Sequence, residues 1–143
     1  MPTQLESLIA TLTDDYRRFP EAQTYSLYRS DVLFRDPVYH FRGLDRYQKM
    51  IGFITYWFRQ LRLELHRIEP QETAEPPRIR TEWTMSWTAP LPWQPRISVT
   101  GWTELHLDGS GKIAAHLDFW NCTKWDVMRQ HFQFFSPWGQ NSG

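Results

Sequence analysis

Residues 97–121 read ISVTGWTELHLDGSGKIAAHLDFWN, and their spacing decides what kind of chain this is. Ile97, Val99, Gly101, Thr103 and Leu105 fall on alternate positions, the period of a strand with one buried face. Asp108-Gly109-Ser110-Gly111 interrupts that period with residues that tolerate the positive φ of tight turns. Ile113, Ala115, Leu117 and Phe119 then alternate again, so the stretch is an antiparallel hairpin of two long strands.

The same period extends upstream. Leu61, Leu63 and Leu65 alternate with Arg62, Glu64 and His66, and Ile79, Thr81, Trp83, Met85 and Trp87 form one face of a further strand. Proline-rich loops at 70–77 and 89–95 separate these strands. Nearer the N-terminus the period is helical. Thr3 and Glu6 make a capping box, and Leu5, Leu8, Ile9, Leu12 and Tyr16 repeat at helical spacing as far as Pro20. A short second helix is expected over 21–29, with Tyr25 and Tyr28 on one face. Val32 and Phe34 run in an extended segment to an Asp36-Pro37 turn. Gly43 precedes a helix of residues 44–59 whose stripe is Leu44, Tyr47, Ile51, Ile54 and Phe58. No clean period is visible from Trp125 to Phe135. Helices followed by a meander of strands indicate α+β, with one domain over residues 1–136 and a loose C-terminal tail over 137–143.

Composition narrows the function classes. Lys plus Arg and Asp plus Glu number 16 each, so no net positive charge favours nucleic acid or a polybasic grip on anionic lipid. Cys122 is the only cysteine, which excludes an internal disulfide and a thiolate metal cluster. No stretch approaches the ~20 apolar residues of a membrane span, and no secretory signal is visible, so a cytoplasmic protein is expected. The conspicuous quantity is 16% aromatic residues with 8 Trp, which fits either an aromatic core or an aromatic-lined cavity.

The order of elements resembles the nuclear transport factor 2-like superfamily over nearly the whole chain. Asp108-Gly109-Ser110-Gly111-Lys112-Ile113 running into His116-Leu117-Asp118 is similar to the Asp-Gly-Lys-Ile and Glu-His-Trp-Asp pattern of SnoaL-like polyketide cyclases. Here Ala115 replaces the Glu, Leu117 replaces the Trp, and Ser110-Gly111 lengthens the turn. Residues 28–37, together with His116-Leu117-Asp118-Phe119-Trp120-Asn121, bring the chain nearer to an uncharacterised family of cyanobacteria and plastids. The resemblance implies a cone of three N-terminal helices packed on a curved antiparallel sheet. It implies a pocket containing the His and the Asp, the Asp serving as acid/base in SnoaL-like enzymes. Some plant members of the nearer family carry the domain beside a haem-binding-type domain, and only that association points to a tetrapyrrole. No other cofactor is expected.

Strand parity puts His116, Asp118 and Trp120 on one face of the last strand. His116 and Asp118 are the candidate catalytic pair, since a carboxylate beside an imidazole fixes its tautomer and raises its pKa. The alternative is that they are structural polar groups that hydrogen-bond to the backbone or to other strands and satisfy buried donors. Asp36 either caps its own turn or sits with Tyr39 at the pocket mouth, orienting a ligand. Tyr56, Trp83, Trp102 and Trp120 are the candidate walls; Trp83 and Trp102 both face inward only if the strand register allows it. His116 with Asp118 supplies two metal ligands, below the three of a catalytic zinc site, so no metal is expected. Three functions fit: a pocket domain for an apolar or aromatic small molecule; a cyclase, isomerase or dehydratase using His116 and Asp118; and a homodimeric protein-interaction module.

Overall fold

A computed structural model describes residues 3–71 and 73–132 of the chain. The 137–143 tail, and residues 133–136 of the expected domain, lie outside the described residues.

Helix α1 runs over Gln4–Arg18, capped by Thr3, whose hydroxyl accepts from the Glu6 N–H while Glu6 returns a bond to the Thr3 N–H. The expected second helix at 21–29 is replaced by a single 3-10 turn, Tyr25–Leu27, followed by strand β1, Tyr28–Arg35. The reason lies in α1. The buried Asp15 carboxylate accepts from both the N–H and the hydroxyl of Thr24, and its carbonyl accepts from the Gln23 amide. Those bonds hold the chain in a turn where a helix would need its own ladder.

Strand β2, His40–Arg42, pairs back on β1. Helix α2, Leu44–Trp57, starts at Gly43, whose φ of 120° suits glycine. Four long strands follow: β3 Arg59–Gln71, β4 Arg78–Thr88, β5 Arg96–Leu107 and β6 Ile113–Trp120. Helix α3, Lys124–Gln130, closes the described chain and packs on β5.

The six strands form one open sheet in the order β2-β1-β6-β5-β4-β3. It is mixed, because β1 runs parallel to β6 while every other pairing is antiparallel. Among the described residues the α-helices are three, as expected, but the third follows the last strand instead of preceding the sheet. Two apolar blocks cover the inner face. One gathers Leu8, Leu12, Tyr28, Phe34, Tyr47 and Ile51 under α1 and α2; the other gathers Trp83, Trp87, Ala89, Ile97, Val99 and Val127 toward α3.

Register decides which side chains reach that face. Trp83 is paired with Gly101, so Trp102, one residue on, points to the opposite side. Gly101 is required there, since a Cβ would stand 2.1 Å from the Phe119 carbonyl oxygen and 3.2 Å from the Trp83 ring. Between β5 and β6 the pairing slips: Leu107 faces Ile113, yet His106 faces Ala115. Ala114 is the extra residue of a β-bulge, and it places Ile113 on the same face as His116.

Candidate functional site

Three rows of side chains cross the inner face. Ile79, Leu105, His116 and Phe34 form one, and Trp83, Gly101 and Trp120 form another. The row between them is polar: Thr81, Thr103 and Asp118. Asp36 continues it, because Phe34 is level with His116 on the parallel neighbour and two residues further along each strand stand Asp36 and Asp118.

A cavity of about 1000 Å³ opens over these rows, between the two apolar blocks. Phe34, Tyr47, Trp57, Trp83, Trp87 and Trp120 supply much of its wall. His116, Asp118, Asp36 and Tyr39 also line it, so six of the eight candidate residues meet around one space. Trp102 and Tyr56 are corrected. Trp102 lies on the outer face, stacked on Phe119 at 5.1 Å with the Arg80 guanidinium over its ring. Tyr56 is 72% exposed on α2 and touches Trp57 edge-on instead of the cavity.

Proton bookkeeping orders the polar groups. The Trp83 indole N–H can only donate, and it does so to Thr103 Oγ1 at 2.8 Å. The single hydroxyl proton of Thr103 is therefore directed at Asp118 Oδ1, 2.5 Å away. His116 Nε2 lies 3.0 Å from the same oxygen. A carboxylate only accepts, so Nε2 carries a proton toward it, and Nδ1 makes a long contact of 3.5 Å with the Tyr28 hydroxyl. Asp118 Oδ1 is saturated. Among the described residues no donor is directed at Oδ2, and the side chain, 19% exposed, lines the cavity.

Burial pushes the hydroxyls of Tyr16, Tyr28 and Tyr47 well above the ordinary phenol range, the Asp118 charge adding to the effect in each. All three remain proton donors; Tyr16 is bonded to Thr81 at 2.7 Å. Burial likewise raises the Asp36 carboxyl, opposed by the N–H groups of Tyr39 and Val38 and reinforced by Asp118. Asp36 caps its turn and also borders the cavity; its Oδ1 lies 2.7 Å from Val38 N and 2.5 Å from Tyr39 N.

Thr103, Tyr16, Tyr28 and Tyr47 had no place among the candidates. Thr103 alternates with Leu105 and Leu107, which marks it as inward, and a hydroxyl among apolar neighbours is the signal that was there to read. The arrangement can hold an apolar ring against aromatic walls while presenting one carboxylate oxygen as a base. Among the described residues no three His, Cys, Asp or Glu side chains converge as a metal-binding group. No helix among them is long and apolar enough to cross a membrane.

The family model described as Uncharacterized conserved protein (DUF2358) matches residues 6–116, which spans α1 through the first half of β6. The chain belongs to the DUF2358 family. No curated protein matches it. Solved structures do. An NTF2-like protein of unknown function from Exiguobacterium sp. 255-15 is 15% identical, with 85% of this chain and 100% of that one covered and a TM-score of 0.61. An LEH-like epoxide hydrolase of M. tuberculosis is 13% identical over 87% of this chain and 89% of its own, with a TM-score of 0.64. A phenazine biosynthesis-related protein of Pseudomonas aeruginosa is 16% identical over 90% and 82%, with a TM-score of 0.63. At these identities the likeness is one of fold alone, and that fold is NTF2-like.

Proposed function

We propose that this DUF2358 domain binds an apolar, ring-containing small molecule in the inner cavity and works in the cytoplasm as a homodimer. The observation that carries the binding reading is a space of about 1000 Å³, walled by aromatic side chains and converging on a few ordered polar groups. Native mass spectrometry of freshly purified protein, with a 2-naphthol titration read by tryptophan fluorescence, tests it. Saturable one-to-one binding supports the reading; an empty cavity that no aromatic probe enters refutes it. Sedimentation velocity tests the dimer, and a clean monomer at micromolar concentration removes it.

Asp118 supports a second reading as a cyclase, isomerase or dehydratase. Its Oδ1 is pinned by Thr103 and His116, which leaves Oδ2 to take a proton from a bound substrate. Of the fold neighbours, one is described as an epoxide hydrolase. The assay is C–H exchange into D2O for a panel of cyclic ketones, followed by NMR. Exchange that vanishes in Asp118→Asn supports catalysis, and exchange no faster than in buffer rules it out for that panel.

A further inference from the structure

Large apolar side chains open to water are confined, among the described residues, to three segments. Val38 and Tyr39 belong to the turn between β1 and β2, and Phe53, Tyr56 and Trp57 to the C-terminal end of α2. Trp125, Met128 and Phe132 recur at three- and four-residue spacing on and just beyond α3, whose buried residue is Val127. All three segments border the cavity. Val38, Tyr39, Phe53 and Trp57 line it themselves, Tyr56 touches Trp57, and α3 contributes Val127 and His131 to the lining. On the outer face of the sheet, by contrast, Trp102 is covered by Phe119 and Arg80. Apolar residues scattered singly over a surface need no explanation, but a concentration around one opening marks a contact.

The charges at this rim are cationic. Arg46 and Lys49 are spaced to share a face of α2 with Phe53 and Tyr56. Both are exposed, both line the cavity, and among the described residues neither is in an ion pair. Met50 to Phe58 carries no charge, and Arg59 follows it. Asp45, the one acid of α2, lies in its first turn. Asp36, in the adjoining turn, is half-buried and accepts from the Val38 and Tyr39 N–H groups. Trp and Tyr rings favour the headgroup level of a bilayer, and Lys and Arg beside them meet anionic lipid. A folded protein seated on the rim would seal the cavity, whereas a bilayer leaves it open to the phase in which apolar molecules dissolve.

We infer that this rim docks the domain on the surface of an anionic lipid bilayer, with Phe53, Tyr56, Trp57 and Trp125 at the headgroup–acyl boundary and the cavity open toward the acyl chains. It goes beyond the binding proposal, because docking is read with no cavity ligand added. The chain has no net charge, so the aromatic rim supplies most of the affinity and the cations supply the preference for anionic lipid. The protein is cosedimented with vesicles of phosphatidylcholine alone and of phosphatidylcholine mixed equally with phosphatidylglycerol. Saturable binding to the mixed vesicles is expected, ~10-fold stronger than to phosphatidylcholine alone. Tyr56 and Trp125 are 72% and 71% exposed and do not line the cavity. The double variant Tyr56→Ser with Trp125→Ser is expected to lose at least ~10-fold in vesicle binding and to keep its 2-naphthol affinity. Trp102→Leu, on the outer face, is expected to bind vesicles as the native protein does. Native protein that binds neither vesicle overturns the inference, and 2-naphthol binding in the same preparation then leaves the cavity reading standing. Vesicle binding that the double variant keeps, or that Trp102→Leu loses, overturns the placement on the rim. A dimer that the double variant converts to monomer in sedimentation velocity, without vesicle binding, gives the rim to a second copy of the chain and overturns the lipid assignment.

Discussion

Replacing Thr103 by Val keeps the shape of a residue that is 1% exposed and removes the hydroxyl that links two partners. Trp83 loses its acceptor at 2.8 Å, and an indole N–H left unsatisfied in a buried setting costs ~1–3 kcal/mol. Asp118 loses a donor at 2.5 Å, and a hydrogen bond to a charged group contributes ~1.5–3 kcal/mol. The added methyl returns ~0.8 kcal/mol of burial. The net expectation is a loss of about 3 kcal/mol. Thr81→Val is the internal control. Thr81 is equally buried but serves one partner, Tyr16 at 2.7 Å, so its loss is expected near ~1 kcal/mol. Urea unfolding of both variants measures the midpoints at unchanged m-value. The double variant Trp83→Phe with Thr103→Val refines the account, because with the indole gone the Trp83 share of the Thr103 cost disappears. If Thr103→Val is no more destabilised than Thr81→Val, the directed relay from Trp83 through Thr103 to Asp118 is wrong.

Asp36→Asn tests the half-buried carboxyl. Burial raises its folded-state pKa, so the unfolded chain ionises first, and stability falls as pH climbs from the unfolded value of ~3.9 through the higher folded one. Asn keeps an oxygen for the Val38 and Tyr39 N–H groups but cannot ionise, so the variant should be the more stable protein at pH ~7 and lose that advantage at pH ~3.5. Denaturation midpoints across that interval check it, and an advantage that grows on acidification contradicts it. Gly101→Ala should cost ~3 kcal/mol or more, since its Cβ would meet a backbone oxygen that cannot retreat without opening the β5–β6 pairing; a midpoint near that of the native protein would show the clash to be relieved. Trp102→Leu should leave 2-naphthol affinity unchanged while Trp120→Leu weakens it, as fluorescence titration of the two variants reads directly. Thr123→Ala should cost ~1 kcal/mol by removing the cap of α3, measured by the same unfolding assay.

Much of the fold is legible in local pattern. The Thr3–Glu6 capping box, the Leu44–Phe58 stripe and the period-two runs of β4 and β5 each describe an element that satisfies its own backbone and buries one face. What was not legible depends on distant partners. The turn at 25–27 is set by the Asp15 carboxylate from a neighbouring element. Helix α3 has only 7 residues and one buried side chain, Val127, so it has no stripe to detect; its one mark is the Thr123–Asp126 box. The parallel pairing of β1 with β6 joins segments far apart in the chain, and nothing within either strand records it. The site divides in the same way. Parity within β6 puts His116, Asp118 and Trp120 together, but the choice between Trp83 and Trp102 belongs to the register between β4 and β5. Tyr56 fails for a related reason, since a helix position adjoining the apolar stripe can still turn outward.

The bulge at Ala114 gives this domain something like a reading frame. With Ala114 left out of the count, Ile113, His116, Asp118 and Trp120 keep one face of β6. Deleting that residue leaves Ile113 opposite Leu107, Ala115 opposite His106 and His116 opposite Leu105 in an unbroken ladder, so the inward set stays in place. Deleting Leu117 from the regular part of the strand instead sends Asp118 to the face opposite His116. Sequence drift in this family is therefore expected to tolerate a change of length at Ala114 and to resist one between His116 and Trp120.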